Sequence, residues 1–177
     1  AAKIEGSPQS LVESITMRLA ETQALTGQHS EAAASYQAFL EKFPQSRWTR
    51  NARFGFAFST ENAGDPTTAL AEYSKILDEP KTDLWTVRSR FQTGSCNAKL
   101  EKHDQAVIDF VKVEISYPQY PRWQAEAVLE IGRILLSQNK PEQARERFQE
   151  VVSRFEKEEA AATARKLLTP ATANGSN

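Results

Sequence analysis

The chain has 177 residues, 40% of them apolar, enough for one domain with a continuous core or a short stack of repeats. Its 22 basic and 23 acidic residues leave a formal net charge of −1, which argues against the basic surface that a nucleic acid or an anionic membrane requires. A single cysteine, Cys96, rules out an intramolecular disulfide and a cysteine-built zinc site, and no apolar run approaches the ~20 residues of a membrane span.

The opening "AAKIEGSPQS" has neither an initiator Met nor a secretory leader and reads as a processed or cloned boundary. Ser7-Pro8 then starts a helix predicted over 9–26. A turn at Gly27 leads to a second helix over 30–43, stopped by "FP" because proline cannot donate the next backbone hydrogen bond. The third helix is predicted over 47–62, even though "RFGFAFS" (53–59) alternates its phenylalanines in the manner of a strand. "NAGDPTTA" is the clearest turn: Gly64 supplies a left-handed C′ residue, Asp65 an N-cap and Pro66 the first position of a helix over 66–78. Helices over 83–100 and 104–116 flank a turn at Glu101, and "YP" at 117–118 closes the second of them. Helices over 121–138 and 141–156 flank Asn139, where Pro141 repeats the proline device behind a poorer cap. "EEAAATARKLL" gives a ninth helix over 158–168, with Ala161, Ala164 and Leu168 on one stripe, placed to cover the end of the preceding unit. The small, polar tail 169–177 is expected to be disordered.

A period runs beneath these elements. Ala32, Ala69, Ala106 and Ala144 recur at spacings of 37, 37 and 38. Four residues after each stand Tyr36, Tyr73, Phe110 and Phe148, and three further on Phe39, Ile76, Val113 and Val151, one face of an α-helix. Twelve residues before each alanine is another small residue, Ala20, Ala57, Gly94 or Gly132. Small side chains let two helix axes approach to ~8–10 Å, and the aromatic fills the neighbouring gap. Trp48, Trp85 and Trp123 share one phase near the start of three first helices, with Leu11 in that place in the first unit, and are expected to seal the joints between hairpins. In this register Phe56 and Ala57 belong to the packing stripe, Phe54 and Phe58 to another face, and the strand signal of "RFGFAFS" is false. The predicted fold is all-α: four helical hairpins and a C-terminal capping helix.

Paired helices with "A…Y" or "A…F" in the second, a small residue in the first and a closing proline resemble the tetratricopeptide repeat (TPR). The resemblance covers 10–157, with repeats at about 10–44, 47–80, 84–118 and 121–157 and a cap over 158–168. It implies a right-handed solenoid in a single domain, 1–168. The period is longer than the family's usual ~34 residues, and the second unit ends at Pro80 with no aromatic before it. "EKFPQS", "VVSRF" and "TARKLL" are similar to the repeats of bacterial cell-envelope proteins such as the Tol–Pal coordinator and the lipoproteins of outer-membrane assembly. That similarity implies a periplasmic adaptor that holds partner proteins and does no catalysis, although neither the coordinator's coiled coil nor the lipoproteins' lipid-bearing cysteine lies within these residues.

In such stacks the first helices line a concave surface. At one helical phase the free face carries Asn51, Phe54, Phe58 and Glu61 in the second unit, then Arg88, Phe91, Ser95 and Ala98 in the third, with Lys99 adjacent. The fourth unit places Glu126, Leu129, Arg133 and Leu136 there, and the first Ser14, Met17, Glu21 and Ala24. Phe54, Phe58, Phe91 and Leu129 would form an apolar strip bordered by arginines, suited to a helix or extended peptide with apolar anchors and some acidic character. In a tightly wound stack the same side chains pack between adjacent first helices instead; Phe54 and Phe91 fit either reading, whereas Phe58 and Arg133 favour a partner.

Catalytic constellations do not emerge. His29 and His103 fall at equivalent turns and are expected to be solvated, no histidine pair has i, i+4 metal spacing, and no Gly-rich phosphate loop occurs. Ser95 has no histidine placed to activate it, and Glu156, Glu158 and Glu159 cluster around a helix start, where negative charge is favoured. The sequence therefore predicts a non-catalytic module for a protein or peptide partner, with no cofactor, metal or nucleic acid. A structural spacer, a scaffold self-associating through its convex face or ends, and an accessory domain of a larger enzyme or sensor are the alternatives.

Overall fold

A computed structural model describes residues 8–169 of the protein. Within them the backbone forms nine α-helices and no strand: α1 (Pro8–Leu25), α2 (His29–Lys42), α3 (Thr49–Asn62), α4 (Pro66–Leu77), α5 (Leu84–Lys99), α6 (His103–Ser116), α7 (Pro121–Ser137), α8 (Pro141–Arg154) and α9 (Glu159–Leu168). Every helix lies within two residues of its predicted span, including α3 through "RFGFAFS". Ser7 and all of the tail beyond Thr169 lie outside the described residues, and with them the expected disorder.

The chain divides into two compact units, Ala1–Leu100 and Glu101–Asn177. In the first, α1 packs on α2, α2 on α3, α3 on α4 and α4 on α5, while α3 also touches α1 and α5. In the second, α6 packs on α7, α7 on α8 and α8 on α9, and α7 also touches α9. Ala32, Ala69, Ala106 and Ala144 are fully buried, and the aromatics four residues after them are at most 4% exposed. Gly132 shows why small residues recur in the first helices. A Cβ there would lie 2.4 Å from a ring carbon of Phe148, far inside van der Waals contact.

The turns that follow α1, α3, α5 and α7 share one device. Gly27, Gly64, Glu101 and Asn139 all have positive φ, at 78°, 99°, 59° and 58°. At three of them the following N–H reaches back to the helix, Gln28 to Gln23 O (2.9 Å), Asp65 to Thr60 O (3.0 Å) and Lys140 to Leu135 O (2.9 Å). That is the Schellman closure, which satisfies carbonyls the helix leaves unpaired. A left-handed conformation costs a residue with a Cβ roughly 1–2 kcal/mol. Glu101→Gly is therefore expected to stabilise the fold by about 1 kcal/mol, read as a higher urea midpoint; an unchanged or lower midpoint would contradict the conformation.

Helix starts follow the same register. Asp65 caps α4 by accepting from Thr68 N (2.9 Å), with Pro66 at the first position. His29 and His103 correct the expectation of solvated turn residues. They are half-buried and open α2 and α6, at the place where α4 and α8 carry Pro66 and Pro141. The physical reason is that a first-turn N–H has no intrahelical partner to lose, so either residue type serves.

The irregular end of the second repeat is closed by charge in place of an aromatic. Phe43, Tyr117 and Phe155 plug the other repeat ends at 6–9% exposure. Near Pro80 the Arg50 guanidinium pairs with Glu79, donates to Thr86 Oγ1 (2.7 Å) and lies 3.4 Å from Asp83. Asp83 in turn caps α5 through Trp85 N and Thr86 N. One repeat earlier the same phase holds Glu13, which accepts from Ser46 Oγ (2.7 Å). Trp48 packs on the cluster formed by α1, α2 and α3, and Trp85 on that of α3, α4 and α5, as joint-sealing residues should.

Candidate functional site

Three first helices of the first unit border a groove of about 280 Å³. Helix α1 contributes Met17, Glu21, Ala24 and Leu25, α3 contributes Asn51, Phe54, Gly55 and Phe58, α5 contributes Trp85 and Arg88, and Tyr36 reaches in from α2. Phe54 is the floor. It is 3% exposed, with its ring centroid 5.2 Å from Trp85, 5.7 Å from Tyr73 and 6.0 Å from Phe58. Phe58 stacks on it and stays half-open. The Arg88 guanidinium lies over the Phe54 ring at 4.2 Å and 5.0 Å from that of Trp85, a cation held against aromatic faces. Burial pushes the Tyr36 hydroxyl up to about 12; Glu21 adds to the shift and Arg88 opposes it, so the groove holds both signs of charge around a neutral phenol.

Glu61, Ser95 and Lys99 meet, but beneath the surface. The Glu61 side chain is 2% exposed and accepts from Tyr73 Oη (2.9 Å), Ser95 Oγ (3.2 Å) and Lys99 Nζ (2.7 Å). One carboxylate thus ties α3 to α4 and α5, a structural role in place of the open position read from its phase. Burial and the nearby Glu61 push the Cys96 thiol well above its usual range, so it stays a thiol and no thiolate nucleophile forms.

In the second unit, Leu129 is 2% exposed in a core cluster with Phe148, Ala160 and Ala164, so it packs between α7 and α9 and does not stand on an open face. This is the side-by-side packing of first helices that formed the alternative reading. Arg133 has 49% of its side chain exposed and pairs with Glu130 (2.8 Å), whose pKa burial raises and Arg133 pulls back. Leu136 is 42% exposed at the rim of a shallow cavity over Phe148. Phe91 is half-buried in α5. Among the described residues no cluster of three or more metal-ligating side chains occurs, and no helix is long and apolar enough to cross a membrane.

Two segments, 17–46 and 129–168, match family models of the tetratricopeptide repeat. These two segments carry TPRs. A tetratricopeptide repeat protein from Parabacteroides merdae superposes with a TM-score of 0.67 at 17% identity, covering 88% of this chain. This chain spans 58% of that longer protein. The MamA protein (TM-score 0.62, 16% identity, 88% of this chain and 84% of that one) and Pseudomonas aeruginosa pilF (0.63, 18%, 93% and 78%) share the fold. No curated protein sequence matches the chain. The TPR fold is a general protein–protein interaction module.

Within this groove the repeat phase had pointed to Met17, Glu21 and Ala24 as well as Asn51, Phe54, Phe58 and Arg88, and all of them line it. Leu25, Tyr36, Gly55 and Trp85 escaped that reasoning. Gly55 carried the available signal: glycine inside a helix costs about 1 kcal/mol relative to alanine, so its presence implies a close neighbour. That neighbour is Tyr36, whose ring a Cβ at position 55 would meet at 2.4 Å.

Proposed function

We propose that the protein is a non-catalytic adaptor that takes an apolar side chain of a peptide or partner protein into the groove between α1, α3 and α5. The observation that carries this reading is the half-open Phe58 on an aromatic floor, beside an arginine held over two rings. Aromatic and arginine side chains in a concave pocket are the residue types that dominate binding energy. Arg88 favours an acidic residue flanking the anchor. The long period and the segments "EKFPQS", "VVSRF" and "TARKLL" support a partner within a bacterial cell-envelope assembly.

Selection of peptides from a displayed random library tests the groove directly. Selected peptides are expected to share an apolar anchor, and Phe58→Ala to weaken them by about 1–3 kcal/mol with little loss of folding stability. Arg88→Gln is expected to weaken those with acidic flanks. Peptides that bind both variants as they bind the wild type would refute the assignment.

A further inference from the structure

Of the four aromatics that follow the buried alanines, Tyr36 and Tyr73 carry a hydroxyl. The residue twelve places earlier tells the two apart. For Tyr73 it is Glu61, whose buried carboxylate accepts a hydrogen bond from the phenol at 2.9 Å. For Phe110 and Phe148, which need no acceptor, it is Ala98 and Leu136. For Tyr36 it is Ala24, so this hydroxyl comes without the carboxylate that its register supplies one repeat later. Tyr36 is 4% exposed, yet its hydroxyl makes no hydrogen bond to any described residue. Gly55 gives the ring its room. A Cβ at that position would lie 2.4 Å from the ring carbon that bears the hydroxyl, so glycine lets the tip of the ring reach the groove that both residues line. An unused donor on a buried side chain is costly to keep unless something at the groove accepts from it.

We propose, resting on the peptide-binding reading above, that Tyr36 is a specificity-determining residue of the groove and that its hydroxyl donates to an uncharged carbonyl oxygen of the bound peptide. The charge of the acceptor follows from the neighbours. Glu21 lines the same groove, and its charge acts on the hydroxyl more strongly than that of Arg88. A carboxylate brought there would face a second carboxylate, whereas a neutral carbonyl accepts without that repulsion. Arg88, held over the Phe54 and Trp85 rings, keeps the acidic preference on the α5 side. Burial and Glu21 hold the phenol's pKa up at about 12, so it keeps the proton that it donates. An apolar anchor entering the groove takes its own peptide carbonyl out of water with it, and that oxygen then needs a donor. The side-chain amide of an adjoining Asn or Gln would offer the same kind of oxygen.

The test compares Tyr36→Phe with the wild type, using peptides selected from the displayed library on the wild-type protein. Because the hydroxyl has no partner among the described residues, the urea midpoint of Tyr36→Phe is expected to match the wild type. Tyr73→Phe, which loses its bond to Glu61, is expected to lower it. Peptide binding to Tyr36→Phe is expected to weaken about three- to tenfold. Weakening of peptides that share no polar residue assigns the acceptor to the main chain. A shared Asn or Gln that is no longer selected on Tyr36→Phe assigns it to a side chain. Equal binding to Tyr36→Phe, with Phe58→Ala still weakening the peptides, overturns this inference and leaves the groove assignment standing; insensitivity to both substitutions overturns both. A lowered urea midpoint for Tyr36→Phe also overturns it, because the hydroxyl would then have a partner inside the protein. So does a shared Asp or Glu that depends on the hydroxyl, because the acceptor would then be charged.

Discussion

Phe148→Ala is expected to destabilise the second unit by about 3–5 kcal/mol, because a 2% exposed ring leaves a cavity that its neighbours can only partly fill. Gly132→Ala acts on the same contact from the other side. Its new methyl would sit 2.4 Å from the Phe148 ring, so the ring or the helix must shift. The gain in helix propensity, about 1 kcal/mol, is outweighed by overpacking, giving a net loss of about 1–3 kcal/mol. The two substitutions together should cost less than their sum by about 1–2 kcal/mol, since the methyl then occupies space the ring has vacated. Urea denaturation of the four proteins measures that coupling. Strict additivity would mean that the glycine–aromatic contact does not set the spacing of α7 and α8.

The second large effect concerns Glu61. Removing its side chain in Glu61→Ala leaves the Tyr73 hydroxyl, on a fully buried ring, without its acceptor and strands Ser95 and Lys99. A loss of about 3 kcal/mol is expected, near the lower end for breaking a buried ionic cluster because Lys99 is 46% exposed and regains water. Adding Tyr73→Phe to Glu61→Ala should recover part of the loss, because the orphaned hydroxyl goes with it. A loss below about 1 kcal/mol for Glu61→Ala would place the carboxylate at the surface, where its helical phase alone would put it.

Most of the architecture was legible before any coordinate. Helix spans, the false strand at "RFGFAFS", the left-handed turn at Gly64 and the buried alanine–aromatic pairs all follow from local chemistry repeated every 37 or 38 residues. A hairpin packs through contacts close in sequence, and four copies of one pattern reveal which positions those are. The Arg50 network was harder to see, since it replaces an aromatic plug with groups from α3, the loop after α4 and the start of α5.

What the sequence by itself determined is the period, the helices and the list of positions facing between hairpins. The tertiary structure alone decided which of those positions stay open. Phe54 and Phe58 are one helical turn apart and share a phase, yet Trp85 and Tyr73 close over the first and leave the second half-exposed. Leu129, in the register of Phe54, sinks against the alanines of α9, and Glu61 turns inward because Tyr73 offers it a proton. A repeating pattern records that a site recurs; the size and polarity of the side chains arriving from neighbouring helices settle whether water reaches it.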